Sequence, residues 1–246
     1  MFKIVNETNL EEEHICCALS EKKGEKTTSL KKNWMTHQFD KGLVFKKLDV
    51  RGKVFIEYIP SENAFAPIVS DNDMYINCLW VSGKFKNQGY ADQLLTSCID
   101  DAQLKNKDGV IALSSTKKRH FLSDPDHLKH YGFHVVDTYP PDFELLYYPL
   151  KKAAKPYFRI KNCIEDHISY YSHQCPHTEK YALLIQEVAS KYNIELQLKR
   201  INSRDEALEV PCPFTTYALF LDRNFVTTEV LTEKKFVKIL EKHMLI

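Results

Sequence analysis

The chain has 246 residues, 43% of them apolar and 27% charged, with seven glycines and a net charge of +1 at pH 7. Such a composition folds, with enough apolar mass for one large core or two modest ones. The balanced charge excludes a global field that would draw the chain to nucleic acid or to an anionic membrane surface. The N-terminal run Met1 to Thr8 lacks the apolar centre of a signal peptide, and no run of about eighteen apolar residues follows, so the expected location is the cytoplasm. Seven cysteines (Cys16, Cys17, Cys78, Cys98, Cys163, Cys175, Cys212) are an odd number at irregular spacings, which argues for reduced thiols over a disulfide framework.

Phe2 to Asn6 reads as a short strand, and Thr8-Asn9-Leu10-Glu11 has capping-box spacing that predicts a helix through Leu19. A loop around Gly24 leads to a second predicted helix, Ser29 to Phe39, ended by Gly42. Leu43 to Val50 and Lys53 to Ile59 then form a hairpin turning at Arg51-Gly52. After a loop from Pro60 to Asp73, the continuous apolar run Met74 to Val81 predicts a central strand covered on both faces. Ala91, Leu94, Leu95, Cys98, Ile99 and Ala102 recur at helical period and mark an amphipathic helix. Gly109 to Ser115 is the next strand. Ser123-Asp124-Pro125 starts a short helix, and Phe133 to Asp137 pairs with Phe143 to Tyr148 to end a first domain, 1–150.

Residues 151–156, basic and interrupted by Pro156, read as a linker, and 157–246 as a second domain. Its first element is a helix or a strand. Then follow a helix with Tyr181, Leu184, Ile185 and Val188 on one face, strand Ile194 to Leu198, a turn marked by Pro211 and Pro213, strands Thr215 to Leu221 and Phe225 to Val230, and a last helix carrying Phe236, Val237 and Leu240. The order is β-α-β then β-β-α.

Val81 to Ala91 lies where a buried strand feeds an amphipathic helix, a geometry that aims backbone N–H groups and the positive helix end outward and so suits a phosphate. Gly89 lets the backbone approach closely, Ala91 avoids crowding, and Lys86 adds charge. The alternative is a strand-helix connection with no ligand. Here the sequence resembles the GNAT acetyltransferases, whose motif is Gln or Arg, two residues, Gly, one residue, then Gly or Ala. Lys86, Gly89 and Ala91 stand at those positions, Val81 lies five residues before Lys86, and His130-Tyr131-Gly132-Phe133 matches a later Gly-Phe pair. Lys86 departs from the motif by keeping the charge without the planar fork.

The resemblance implies a mixed central sheet flanked by helices and acetyl-CoA as co-substrate. The backbone of Leu79, Trp80 and Val81 would hold the pantetheine arm and polarise the thioester, and Lys86, Asn87, Gln88, Gly89, Tyr90 and Ala91 would hold the pyrophosphate. It also implies direct attack by a primary amine of a small molecule or peptide, with an acid to protonate the leaving thiolate. Many relatives carry a tyrosine four residues before that Gly, where this chain has Leu128. Tyr131 is the nearest phenol, and packing is its alternative role. Glu57 and Asp73 are candidate bases, either of them readable instead as a solvated surface carboxylate. Thr116-Lys117-Lys118-Arg119-His120 is either an anion site or a solvated charged loop.

In the second domain Cys175 precedes Pro176 and a helix, a position that favours thiolate, and Pro211-Cys212-Pro213-Phe214 precedes an apolar strand. Residues 157–246 resemble a smaller thioredoxin-like α/β domain, which implies a cis-proline beside the active thiol, although Thr178 replaces the second cysteine of a Cys-x-x-Cys pair. Cys175 and Cys212 are then either a thiol pair or ordinary cysteines in a degenerate fold used for binding or homodimerisation. His173, Cys175 and His177 match no structural zinc spacing. The tandem is similar to the bacterial YoaP-like GNAT proteins. An alternative function is thiol chemistry at Cys175, with the GNAT-like domain binding acyl-CoA without turnover.

Overall fold

Residues 1–15, 17–19, 25–117, 119 and 121–246 are described by the computed structural model, and they divide into two compact units. The first unit is Met1–Ala64 with Ile68–Arg159. In chain order it contains β1 (Phe2–Val5), α1 (Thr27–Phe39), β2 (Val44–Leu48), β3 (Val54–Pro60), β4 (Ile68–Val69), β5 (Met74–Val81), α2 (Tyr90–Leu104), β6 (Gly109–Ser115), α3 (Pro125–Tyr131), β7 (His134–Tyr139), β8 (Phe143–Pro149) and β9 (Tyr157–Phe158). Among the described residues, seven strands form one mixed sheet in the order β1-β2-β3-β5-β6-β8-β7. Only β5 and β6 run parallel, as the α2 crossover between them requires.

One face of this sheet packs on α2. Leu94, Leu95, Cys98, Ile99 and Ala102 meet Ile56, Tyr58, Met74, Ile76, Val110 and Ala112 in a single apolar cluster, so the helical period of α2 and the alternation of the strands find their partners in each other. Residues on the opposite face of β2 and β3, such as Phe45 and Phe55, are equally buried, and their rings stack at 4.9 Å.

Three expectations for this unit need correction. Among the described residues no helix follows Thr8 before α1: residues 7–12 are turns, and the Asn6 side chain takes both the Thr8 N–H and the Thr8 hydroxyl in a local Asx turn that competes with a helix start. Strand β5 is fully buried only over Met74–Ile76, and Asn77 to Val81 are half-exposed. The cause is β6, which pairs with β5 only from Met74↔Val110 to Ile76↔Ala112 and then continues beside β8. Finally, the stretch expected as a linker leads into β9, which pairs antiparallel with β4, and the division of the units falls at Arg159. The loop expected at Gly24 lies outside the described residues.

The second unit is Ile160–Ile246 with Phe65–Pro67. It contains β10 (His167–Ser172), α4 (Thr178–Lys191), β11 (Gln197–Ile201), α5 (Arg204–Leu208), β12 (Tyr217–Leu221), β13 (Asn224–Thr227) and α6 (Glu233–Lys242). Its sheet order is β11-β10-β12-β13, with β10 and β11 parallel and the other pairs antiparallel. Ala182, Ile185, Val188 and Ala189 of α4 and Phe236 and Leu240 of α6 cover Tyr217, Leu219 and Leu221 of β12. The first element of this unit is thus a strand, the second strand begins at Gln197 and not Ile194, and α5 is an addition. Ser203 caps α5 by accepting the Glu206 N–H at 3.2 Å, while the Glu206 carboxylate accepts the Asn202 N–H at 2.6 Å.

Candidate functional site

Among the described residues, the parting of β5 from β6 leaves one edge of Asn77 to Val81 without a strand neighbour, while β3 still pairs with the other edge through Val54↔Val81. The segment that loses its partner runs straight into the turn that starts α2. Within that turn Gly83, Asn87 and Gly89 have φ of 62°, 59° and 73°, and a short 3₁₀ turn spans Gly83–Phe85. Gly89 is the N-cap of α2 and its carbonyl accepts the Gln93 N–H at 3.1 Å, so the N–H groups of the first helical turn have no partner within the helix. A Cβ on Gly89 would meet nothing nearer than the Gln93 amide at 3.8 Å. Glycine is needed here for its left-handed backbone, and crowding plays no part.

Aromatic packing fixes the turn in place. The Phe85 ring lies on Gly52 of the β2–β3 hairpin, where a Cβ would stand 2.4 Å from it, and it meets Tyr90 edge-on at 6.3 Å. Tyr90 in turn meets Phe2 at 6.2 Å. Lys84, Lys86, Asn87 and Gln88 remain exposed around the turn. The residues singled out from the sequence, Leu79 to Val81 and Lys86 to Ala91, therefore lie along one continuous edge.

The candidate acid-base groups are differently placed. Tyr131, the last residue of α3, has its hydroxyl 2.6 Å from that of Thr96 on α2 and its ring against Tyr148. Glu57 and Asp73 are not surface carboxylates but 1% and 2% exposed. Glu57 pairs with Lys31 of α1 and accepts from the Asn77 amide at 3.1 Å. Asp73 accepts from Ser70 at 2.6 Å and Tyr147 at 3.1 Å, and burial pushes its pKa up. In the Thr116–His120 run Arg119 is committed to Asp142 at 2.7 Å, and Lys118 and His120 lie outside the described residues.

Lys31, Asn77 and Thr96 escaped the sequence reading. Lys31 carries a signal in retrospect: with Trp34, Met35 and Gln38 it falls at i, i+3, i+4 and i+7 on the buried face of α1.

In the second unit Cys175 lies three residues before α4, and its carbonyl accepts the Thr178 hydroxyl at 3.0 Å. His173 pairs through Nε2 with the Glu179 carboxylate, and among the described residues no group of three His, Cys, Asp or Glu side chains suits a metal ion. Cys212 is buried. The one cis peptide among the described residues is Pro140–Pro141, so neither Pro211 nor Pro213 is the cis-proline expected beside a thioredoxin-type thiol. No helix among these residues is long and apolar enough to cross a membrane.

Comparison with known proteins gives the family. A family model described as YoaP-like matches residues 195–238. The uncharacterized N-acetyltransferase YoaP of Bacillus subtilis (strain 168) is 40% identical over 242 residues, which is 96% of each chain. Similar solved structures include a putative GNAT-family acetyltransferase from Desulfovibrio desulfuricans (15% identity, 62% of this chain and 99% of that one, TM-score 0.42). Another is the GNAT-family N-acetyltransferase YhbS from Escherichia coli in complex with CoA (14% identity, 65% and 89%, TM-score 0.42). At 40% identity over nearly the whole length of both chains, the protein belongs to the YoaP-like N-acetyltransferases of the GNAT family.

Proposed function

We propose that the first unit binds acetyl-CoA along the open edge of β5 and transfers the acetyl group to a primary amine of a small molecule or peptide. The observation that carries this reading is the continuity of the unpaired edge, Asn77 to Val81, with the left-handed turn at Gly89. An extended pantetheine arm has amides that can take the place of a missing strand beside Leu79, Trp80 and Val81, and backbone N–H groups there can polarise a thioester carbonyl. The diphosphate takes the turn from Lys86 to Ala91, where helix-end N–H groups face outward and the Lys86 side chain is exposed. The amine nitrogen attacks the thioester carbon, the C–S bond breaks, and the thiolate takes a proton. We assign that proton to Tyr131.

Calorimetric titration with acetyl-CoA tests the reading. Micromolar binding that survives Cys175→Ser and is lost in Gly89→Val is the expected result, and no binding to the wild-type chain overturns it.

A second reading is thiol chemistry in a thioredoxin-like second unit, and the β-α-β-α-β-β-α order with Cys175 just before α4 favours it. Alkylation of Cys175 by iodoacetamide across pH distinguishes the two. A midpoint below the ordinary thiol range, together with an absence of acetyl transfer, would favour this second reading. Both chemistries suit a reducing compartment, and we place the protein in the cytoplasm, with Cys98 and Cys163 as thiols.

A further inference from the structure

We propose that Trp80, Phe121 and Lys53 form the acceptor-recognition surface of the first unit, and that it takes an amine carrying both a planar apolar group and a carboxylate, of the aromatic amino-acid type. The proposal rests on the acetyltransferase reading and names its substrate class.

Strand alternation places Trp80. Leu79 and Val81 pack into the cluster beneath α2, so the residue between them projects from the other face of the sheet. Its cross-strand partner there is Phe55, which stacks on Phe45. An indole on a sheet face is ordinarily covered, yet Trp80 is half-exposed because β6 has already left β5. Two side chains border it instead of a strand. The Lys53 Nζ lies 5.0 Å from the Trp80 ring centroid, and the Phe121 ring meets it edge-on at 6.4 Å and 72°.

Phe121 holds its position at φ 70°, a left-handed conformation that bulky residues rarely adopt and that recurs where a side chain is aimed for binding. The two rings touch edge to face and so form one continuous, angled apolar surface, which suits a flat group laid against it. Lys53 fixes the charge preference. A bare amine approaching this surface as its ammonium ion is repelled, whereas a carboxylate on the same molecule gains a charge-assisted hydrogen bond.

The surface also lies where an acceptor must enter. Trp80 belongs to the strand segment whose backbone edge would hold the thioester, so a molecule resting on its indole reaches the carbonyl from the face opposite α2. The neutral amine nitrogen forms a bond to the acetyl carbon, the bond from that carbon to sulfur breaks, and the amine loses one proton while the departing thiolate gains one. The products are an N-acetyl amino acid and CoA.

The probes are L-phenylalanine and phenethylamine, which share ring and amine and differ in the carboxylate. With acetyl-CoA, thiol release should show kcat/KM at least about tenfold higher for L-phenylalanine. Lys53→Met should bring the ratio near one while leaving acetyl-CoA affinity unchanged, and Trp80→Ala should lower kcat/KM for both amines. The chain has two tryptophans, Trp34 and Trp80. L-phenylalanine should therefore change the intrinsic fluorescence of the wild type and not that of Trp80→Phe. If acetyl-CoA binds but neither amine is acetylated, or both react equally well, or Lys53→Met leaves the ratio intact, the proposal is overturned. If acetyl-CoA does not bind, it is the underlying function that fails.

Discussion

Lys31 and Glu57 form an ion pair at 2.5 Å with both side chains 1% exposed. The Lys31 ammonium also lies 4.2 Å from the Trp34 ring, and the second Glu57 oxygen holds Asn77. Asn77 is the extra residue where the β3–β5 register shifts, since Glu57 faces Cys78 and Tyr58 faces Ile76. The pair therefore anchors the irregularity from which the open edge of β5 begins. Glu57→Gln keeps an acceptor for Asn77 but strands a buried cation, and should cost about 3–5 kcal/mol in urea unfolding. Lys31→Met combined with Glu57→Leu should recover most of that loss and still bind acetyl-CoA more weakly than the wild type, because Asn77 has lost its anchor. Equal affinity in the double variant would show that the bulge holds itself.

Gly89 separates backbone conformation from space. With nothing nearer than 3.8 Å to an added Cβ, Gly89→Ala meets no clash, yet φ 73° costs an ordinary residue about 1–2 kcal/mol. Asparagine tolerates the left-handed region better. Acetyl-CoA affinity should fall from glycine to asparagine to alanine to valine, with unchanged circular dichroism. An order that follows side-chain volume alone would instead mean that ligand crowding matters.

Acid should loosen the N-terminal corner of the first unit. Hydrogen bonds from Lys3 and Lys47, at 2.7 and 2.6 Å, hold the Glu13 carboxyl down to about 2 from 4.5. Because the folded-state value is the lower one, Glu13 contributes stability that is fully present above the ordinary carboxylate range and is lost as pH falls through about 2. Buried Asp73, whose pKa is raised, works in the opposite sense. Urea midpoints measured from pH 6 down to pH 3 should therefore fall less steeply in Glu13→Gln than in the wild type. Parallel slopes would remove Glu13 from the account.

The elements whose own residues carry a full period or a tight turn were legible. The helical period from Ala91 to Ala102, the β2–β3 hairpin and the run Gly109 to Ser115 all stand where their patterns put them. The partial exposure of β5 was not legible, because it depends on how far a strand thirty-odd residues away stays beside it. The burial of Lys31 and Glu57 was hidden for the same reason, since the ion pair that satisfies both joins residues 26 positions apart. Local chemistry also misled. Thr8 and Ser203 each begin a capping-box spacing, but Asn6 captures the Thr8 hydroxyl at 2.7 Å, whereas Ser203 finds the Glu206 N–H and starts α5.

That contrast is measurable. Ser203→Ala removes a real cap and should cost the second unit about 1 kcal/mol. Thr8→Ala removes only an exposed bond to Asn6 and should change stability by less than about 0.5 kcal/mol. Equal losses would mean that the turn at Asn6 has the value of a helix start.

Tyr131 carries the last prediction. Its hydroxyl and that of Thr96 are 2.6 Å apart, and either can donate. If Tyr131 protonates the departing thiolate, its proton must be free to leave the Thr96 oxygen, and Thr96 serves to hold the phenol in line. Tyr131→Phe should then lower kcat by about a hundredfold or more without changing acetyl-CoA affinity. Thr96→Val, which leaves the phenol in place but unheld, should lower kcat less. A packing role makes a different forecast, because the ring of phenylalanine fills the same space against Tyr148. In that case kcat stays near wild type in Tyr131→Phe, and the proton must come from solvent or from another group.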